Sequence, residues 1–427
     1  MTAVLPDRWL NELSRTSRDL RLIRGDGVYV WDDEERQYLD LTSSGGTTLL
    51  GHNHPRVSEA ITNQVMAFSG VPPRFDYDLR EELLEALSFI IPVPLTHVSF
   101  TTSGSAAVDL AITWIASASD RPRLIAMQRS DHGSGIGGRG ASSGRRLGEI
   151  AGRSLEVVRV PFDDLDALSA QLDEQVAAVL VEPIQVEAGV RVPAEGYLAS
   201  VAELCRRVGA LLVVDEVRTA LRMGPTLASA ARGVGPDIVC LGSSLANGMP
   251  FGVTAVGPSI SRRATVARRD HEEACPPLVG AAANATIRTA LGPTLRALAG
   301  LSSERLQGRL RALRLGEIRE VRGSGALVAV ETSLNAPVLL RRLEQRGILA
   351  LPGGTGTVRI LAPLILERRE ADGVVEALAA IILASRPPRR RATSVQRSDE
   401  VEVVLPGRAV RRQPRVVCSS SASARPG

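Results

Sequence analysis

The stretch Ala210–Gly257, ALLVVDEVRTALRMGPTLASAARGVGPDIVCLGSSLANGMPFGVTAVG, determines the fold class. Its two apolar runs, Leu211–Val214 and Ile238–Leu241, are typical of parallel strands that are buried on both faces. Asp215 follows the first run, and small residues that include Ser243 follow the second. In an open α/β sheet, the chemistry lies beyond the carboxyl ends of the strands. We therefore expect Asp215 and Ser243 at one edge of such a sheet.

This stretch resembles the core of the class III aminotransferases, enzymes that use pyridoxal phosphate (PLP) on a fold-type-I scaffold. The matching blocks are Asp215-Glu216-Val217, Gly233-x-x-Pro236-Asp237-Ile238-Val239, Leu241-Gly242-x-x-Leu245 and Asn247-Gly248-x-Pro250. In that family the residue after Leu-Gly is the lysine that holds the cofactor as a Schiff base, and in this chain it is Ser243. The chain contains no lysine, because all 51 of its Lys+Arg residues are arginines. The resemblance also implies that Asp215 pairs with the pyridine nitrogen of the cofactor.

The segment HVSFTTSGSAAVD, residues 97–109, predicts a strand, a Gly/Ser turn and a helix that starts near Gly104. The N–H groups at a helix start attract an anion, and the hydroxyls of Ser103 and Ser105 would add to this. An ordinary N-capped helix is the alternative interpretation. The segment resembles the family's phosphate-binding turn, which implies that Ser103, Gly104 and Ser105 bind the cofactor phosphate.

Other family blocks imply further site residues. Glu182 and Gln185, in the run Glu-Pro-Ile-Gln, match cofactor-contacting positions, and His132 is the histidine expected near the pyridine ring. The residue before it is Asp131, where the family has an aromatic residue that stacks on the ring. Arg359 matches the arginine that often binds the substrate carboxylate, although a surface salt bridge is an equally good interpretation.

Two more departures weaken the resemblance at the site. Glu272 stands where the family has a threonine that reaches the partner subunit's cofactor phosphate, and a carboxylate there would repel that phosphate. Ala220 stands where a glycine is usual. The α-amino group of Met1 is the only amine in the chain that could react with the cofactor.

The resemblance covers about residues 20–385 and implies an α/β architecture of fold type I. Alternating strands and helices from Val98 to Val256 independently predict a doubly wound, mostly parallel sheet. We expect an N-terminal segment (1–60) that joins the small domain, a large cofactor-type domain (61–290), a small α+β domain (291–385) and a disordered Arg/Ser-rich tail (386–427). The family builds its sites at a two-fold interface, which implies a homodimer.

Composition limits the function classes. The chain carries a net charge of +4, but ten arginines and three acids between residues 386 and 427 contribute +7 of it, leaving 4 − 7 = −3 for the remainder. We therefore expect no nucleic-acid binding. No apolar run reaches the ~20 residues of a membrane span, and the N-terminus is too polar for a signal peptide. Four scattered cysteines predict free thiols in a reducing cytoplasm, and no metal site is expected, even at the paired His52 and His54.

Three functional hypotheses follow. A working transaminase needs an amine that carries the cofactor and moves a proton, and serine cannot replace it. A lysine-independent enzyme could use PLP or pyridoxamine phosphate bound without a covalent link, with a small-molecule amine or amino acid as substrate. A non-catalytic homologue could act through the family's dimer surface, with itself or with a paralogous aminotransferase. The departures at Asp131, Ser243 and Glu272 favour the third hypothesis slightly over the second.

Overall fold

The computed structural model describes residues 20–72, 75–143, 149–150, 153–264 and 275–385. The strands are, in chain order, β1 (Leu22–Asp26), β2 (Tyr29–Asp32), β3 (Gln37–Asp40), β4 (His97–Thr101), β5 (Arg123–Met127), β6 (Glu149–Ile150), β7 (Arg153–Ser154), β8 (Glu156–Val160), β9 (Val176–Val181), β10 (Leu211–Asp215), β11 (Ile238–Leu241), β12 (Gly252–Val256), β13 (Ile318–Ser324), β14 (Leu327–Thr332), β15 (Ile348–Leu349), β16 (Leu351–Gly354) and β17 (Thr357–Leu361). The α-helices are α1 (Pro55–Ala67), α2 (Asp78–Ser88), α3 (Gly104–Ala118), α4 (Ile136–Ser143), α5 (Leu165–Gln171), α6 (Tyr197–Val208), α7 (Pro258–Arg263), α8 (Pro277–Ala290), α9 (Pro293–Ala312), α10 (Ala336–Glu344) and α11 (Arg368–Ala384). Short helical turns occur at Ser43–Gly46, Ala230–Arg232 and Ser243–Ala246.

A seven-stranded sheet carries the site, with the strand order β4-β12-β11-β10-β9-β5-β8. The pairs from β8 to β11 are all parallel, whereas β12 is antiparallel to both of its neighbours. Every residue of β9, β11 and β12 is buried, as is expected for a sheet with helices on both faces. The predicted doubly wound, mostly parallel α/β fold is confirmed. The antiparallel direction of β12 was not predicted.

The predicted strands after residue 200 are confirmed with small changes of boundary. β10 extends one residue further than predicted and includes Asp215, and β11 has the predicted bounds. The amphipathic pattern of residues 304–313 predicts a helix, but the observed helix α9 begins earlier, at Pro293. Pro293 is in the first turn of the helix, where proline's fixed φ is favourable. The predicted helix is therefore the second half of a longer one.

Two smaller sheets involve the ends of the described chain. Two short apolar runs around an acidic turn, within residues 27–55, predict a hairpin. It is present as the antiparallel pair β2–β3, and β3 pairs in parallel with β15, which lies about 300 residues further along the sequence. The other sheet has the order β13-β14-β17-β16 and is antiparallel throughout. Helices α9 and α11 are joined by a bidentate ion pair between Arg305 and Asp372, with both contacts at 2.6 Å. The predicted tail, residues 386–427, lies outside the described residues.

Among the described residues, no helix combines the length and the apolar composition that a membrane span requires.

Candidate functional site

Asp215, the last residue of β10, is the centre of the site. It is 4% exposed, and its two carboxylate oxygens accept hydrogen bonds from different partners. Oδ1 accepts from the N–H of Val217 at 3.1 Å, and Oδ2 lies 2.8 Å from Nδ1 of His132. The His132 ring is buried, and its other nitrogen, Nε2, has no partner among the described residues. The structure thus places His132 against Asp215, so that the histidine orients this carboxylate.

The start of α3 forms the second part of the site. Ser103 is the N-cap residue, and its Oγ accepts a hydrogen bond from the N–H of Ala106 at 3.1 Å. The N–H groups of Gly104 and Ser105, ahead of the capped Ala106, have no partner inside the helix and remain available to an anion. The Oγ of Ser105 accepts from the N–H of Ser134 at 3.2 Å, which leaves its own O–H to donate. This geometry is suitable for a phosphate group.

The side chain of Val217 packs against both Gly104, at the start of α3, and Gly242, before Ser243. A Cβ on Gly104 would lie 2.4 Å from Cγ1 of Val217, and a Cβ on Gly242 would lie 2.7 Å from the same atom. Both positions therefore need glycine, because side-chain atoms cannot approach so closely. The valine side chain joins the start of α3, the end of β10 and the residue before Ser243, which places Asp215, Gly104 and Ser243 at one edge of the sheet, as predicted.

Ser243 follows β11 and begins a short 3-10 helix. The side chain is half-buried, and its Oγ donates a hydrogen bond to the carbonyl of Phe251 at 3.1 Å. A hydroxyl cannot form the carbon–nitrogen double bond by which a lysine holds a cofactor. The hydrogen bond to Phe251 also occupies the one proton that this side chain could transfer.

Glu182 adds a second carboxyl group beside Asp215. It is 3% exposed, and its Oε2 accepts from the N–H of Asp131 at 3.1 Å. Burial, with a further contribution from the charge of Asp215, raises the pKa of Glu182 well above its ordinary value. Burial and the neighbouring carboxylate thus favour the protonated form of Glu182 relative to an exposed glutamate.

Asp131 and Gln185, at two further positions that the resemblance singles out, form hydrogen bonds within the chain. Asp131 is exposed, and its Oδ1 accepts from the N–H of Gly133 at 3.0 Å, so that the aspartate caps a turn and presents no ring. Gln185 is fully buried; its Nε2 donates to the carbonyl of Gln128 at 2.9 Å, and its Oε1 has no partner among the described residues. Its contact with a cofactor stays a prediction.

Arg359 is already paired with a carboxylate of the same chain. Its Nη2 lies 2.6 Å from Oε2 of Glu187, and its Nε donates to the carbonyl of Pro352 at 2.7 Å. Arg359 thus forms a salt bridge, as the second interpretation has it, but its side chain is 6% exposed and does not lie at the surface, whereas Glu187 is 25% exposed. Arg218, which sequence reasoning missed, contacts the other oxygen of Glu187 at 3.4 Å. A ligand carboxylate would have to replace Glu187 between these two arginines.

Three contacts would hold PLP: one to its phosphate, one to its ring nitrogen and a covalent link. The site provides partners for the first two. The start of α3 suits its phosphate, and Asp215, oriented by His132, suits its ring nitrogen. There is no side-chain amine for a covalent link, because the chain has no lysine. The α-amino group of Met1 and the side chain of Glu272, both considered above, lie outside the described residues.

The fold and this site define a PLP-type transferase of fold type I, and comparison with known proteins identifies the family. The chain belongs to the class III aminotransferases, whose family pattern it matches over residues 13–382. It is 31% identical over 392 residues to the acetylornithine aminotransferase of Mycobacterium leprae, covering 90% of this chain and 96% of that protein. It is 29% identical over 402 residues to the LysW-aminoadipate semialdehyde transaminase of Deinococcus radiodurans, covering 92% and 94%. The structure of the ornithine aminotransferase from Toxoplasma gondii has the same fold, with a TM-score of 0.77 at 24% identity over 90% of this chain and 96% of that one.

Proposed function

We propose that this chain is a class III aminotransferase homologue that does not carry out lysine-dependent amino-group transfer and acts through the dimer or partner surface of the fold. The observation that carries this proposal is Ser243. It stands after β11, where the family has its lysine, and nothing else in the sequence supplies a side-chain amine. The similar proteins are named as aminotransferases, so amino-group transfer is the activity from which this chain departs.

PLP supplies an electron sink for reactions of amino acids when it is bound. In this chain, the first turn of α3 would bind its phosphate, and Asp215 would keep the ring nitrogen protonated. His132 would orient Asp215, and Glu182, whose pKa burial raises, lies beside it. Each of these roles concerns binding and orientation. No described residue at the site has a free amine for the proton transfers of a transaminase.

A lysine-independent enzyme is the second candidate, and the intact pair of His132 and Asp215 favours it. Burying the Asp215 carboxylate costs free energy, which its hydrogen bonds with Val217 and His132 offset in part and a cationic group of a ligand would offset further. A pyridinium nitrogen would be such a group. In this case PLP or pyridoxamine phosphate binds without a covalent link, and the substrate is a small amine or amino acid.

Exposed apolar side chains support the partner surface. They lie between residues 65 and 93, on and around helices α1 and α2, and comprise Val65, Met66, Phe68, Phe75, Leu84, Phe89 and Val93. Met66 is 82% exposed and Val93 is 89% exposed, which is unusual for so many large apolar residues close together in sequence. We assign this surface to a homodimer, with a paralogous aminotransferase as the alternative partner.

A cytoplasmic location is part of the same proposal. Cys205, Cys240 and Cys275 are buried and unpaired with one another. Burial raises the pKa of the Cys205 thiol and of the Cys275 thiol to about 12, so these thiols are unreactive and suit a reducing compartment.

The decisive experiment combines borohydride reduction with an activity assay. The purified protein is incubated with PLP, reduced and digested, and its peptides are analysed by mass spectrometry, with Ser243→Lys as the positive control. We expect a cofactor adduct on the residue-243 peptide of the variant alone. In parallel, amino transfer from glutamate to an aldehyde is compared with the rate given by free PLP.

Amino transfer well above the rate with free PLP would refute the non-catalytic proposal. If that activity occurs without any adduct, the lysine-independent enzyme takes its place. Sedimentation velocity tests the partner surface, because a protein that stays monomeric at all concentrations contradicts the homodimer.

A further inference from the structure

A cavity of about 220 Å³ lies away from the candidate cofactor site, between helix α9 and the segment that follows β10. None of the site residues described above lines it. Leu221–Gly224 and Gly325 form one side, and residues of α9 form the other. Two arginines line this cavity, Arg222 and Arg296, and they determine its chemistry.

Arg222 is a buried cation that forms no ion pair within the described part of the chain. It is 2% exposed, and its Nη1 and Nη2 donate to the carbonyls of Ala362 and Gly46, at 3.1 and 2.8 Å. Its Nε is buried and has no hydrogen-bond partner among the described residues. Burial, together with the nearby charge of Arg218, lowers the pKa of Arg222 to about 10, so the side chain stays charged at neutral pH. A charge buried in this way is costly unless an anion compensates it.

Arg296 is a second, half-buried cation. Its Nε is buried without a partner, and no carboxylate of the described residues forms an ion pair with it. Burial lowers its pKa. Two other arginines of the same helix behave differently, because Arg305 and Arg309 both pair with Asp372, at 2.6 and 2.7 Å. Arg296 therefore lacks a partner although acidic residues are available to the helix that carries it.

The remaining polar residues of the cavity do not neutralise these charges. Gln307 is engaged at both ends of its amide, since Nε2 donates to the carbonyl of Gly325 and Oε1 accepts from Arg311. Ser303 is buried and offers a hydroxyl to a ligand. Glu304 also lines the cavity but is exposed and pairs with neither arginine.

We propose that this cavity binds a small anion, a molecule with a carboxylate or phosphate group that contacts Arg222 and Arg296. Two guanidinium groups whose Nε atoms have no partner among the described residues favour such a group, because they can bind its oxygens through charge-assisted hydrogen bonds. The volume is below the ~300 Å³ at which drug-sized ligands begin, so the ligand has few non-hydrogen atoms. An anion here would also hold Leu221–Gly224, the continuation of the strand that carries Asp215.

The test is isothermal titration of the full chain with inorganic phosphate and, separately, with succinate, which distinguishes the two kinds of acidic group. Arg296→Gln removes one cation, and it spares Arg222, whose loss would disturb the carbonyls that it binds. We expect this variant to bind the preferred anion about tenfold to a hundredfold more weakly. Arg314→Gln, which removes the same charge beyond the end of α9, is the matched control and should bind as the unchanged chain does.

A second variant protects the test against misfolding. Gly300 lines the cavity within α9, and a Cβ there meets no atom within 4 Å. Gly300→Leu places a side chain at the cavity wall and favours the helix, so it should abolish anion binding while the thermal unfolding midpoint is kept. Phosphate bound only at the start of α3 would be unaffected by either variant. The proposal is overturned if neither anion binds at millimolar concentration, or if Arg296→Gln and Gly300→Leu bind as tightly as the unchanged chain.

Discussion

The carboxylate of Asp215 provides the sharpest test of whether the family's cofactor geometry persists. Asp215→Asn removes its charge and nearly preserves its shape, so the contacts with Val217 and His132 can largely be kept. If pyridoxamine phosphate binds in the geometry argued above, this substitution replaces a charge-assisted hydrogen bond to the ring nitrogen with a neutral one.

The magnitude follows from the burial of this residue. Asp215 is 4% exposed, so water screens its interaction with a bound ring only weakly. A hydrogen bond to a charged group contributes about 1.5–3 kcal/mol. The dissociation constant for pyridoxamine phosphate should therefore rise about tenfold to a hundredfold.

Isothermal titration of both proteins with pyridoxamine phosphate measures this change. Asp237→Asn is the matched control, because Asp237 lies at the opposite end of the neighbouring strand and its Oδ2 accepts from the N–H of Leu212 at 2.8 Å. The control should bind as the unchanged chain does. Equal affinity of Asp215→Asn and the unchanged chain would refute the assigned binding geometry. An unchanged chain that binds nothing at millimolar cofactor would remove the lysine-independent enzyme as a candidate.

Three other substitutions test separate parts of the site. Ser243→Lys alone should not restore amino transfer, because Asp131 still offers no ring for stacking; a steady-state assay with robust turnover would show that only the lysine was lost. Glu182→Gln should gain stability relative to the unchanged chain as the pH rises from 5 to 8. The raised pKa of Glu182 means that the folded state binds the extra proton above the ordinary value of 4.5, so the free energy of unfolding of the unchanged chain falls by up to about 1.4 kcal/mol per pH unit. Urea unfolding at both pH values checks this, and the exposed Glu203→Gln should show no such trend. Glu187→Gln should lower the free energy of unfolding by about 2–3 kcal/mol, because its two arginine partners lose their carboxylate. Added glutamate should then raise the melting temperature of this variant more than that of the unchanged chain. An equal shift in both proteins would contradict the arrangement.

Much of the fold could be predicted because the informative residues are local. The buried runs of β10 and β11 have the composition of parallel strands, and the Gly/Ser turn before α3 identifies a helix start. The direction of β12 could not be predicted, because Gly252–Val256 is equally apolar whichever way the strand runs. The first half of α9, from Pro293, was not predicted from the sequence.

The site was less predictable where contacts join distant parts of the chain. Glu187 and Arg359 lie 172 positions apart in sequence and pair only because β17 and the segment after β9 come together. An arginine three residues after Asp215 was the available signal for the second partner, Arg218. The absence of lysine, by contrast, can be seen from composition alone. It excludes a Schiff base between the cofactor and a side chain, and no single distance in the structure restricts the possible reactions as much.

The contacts of Val217 determine which positions near the missing lysine are free to change over evolutionary time. Gly104 and Gly242 are confined by a β-branched side chain, so replacement by alanine would require the backbone to move whether or not a cofactor binds. Their glycines would therefore persist in a lineage that had abandoned the cofactor. Relaxed selection would first become visible at positions that nothing confines, and Asp131, exposed at the rim of the site, is one that has already departed from the family pattern.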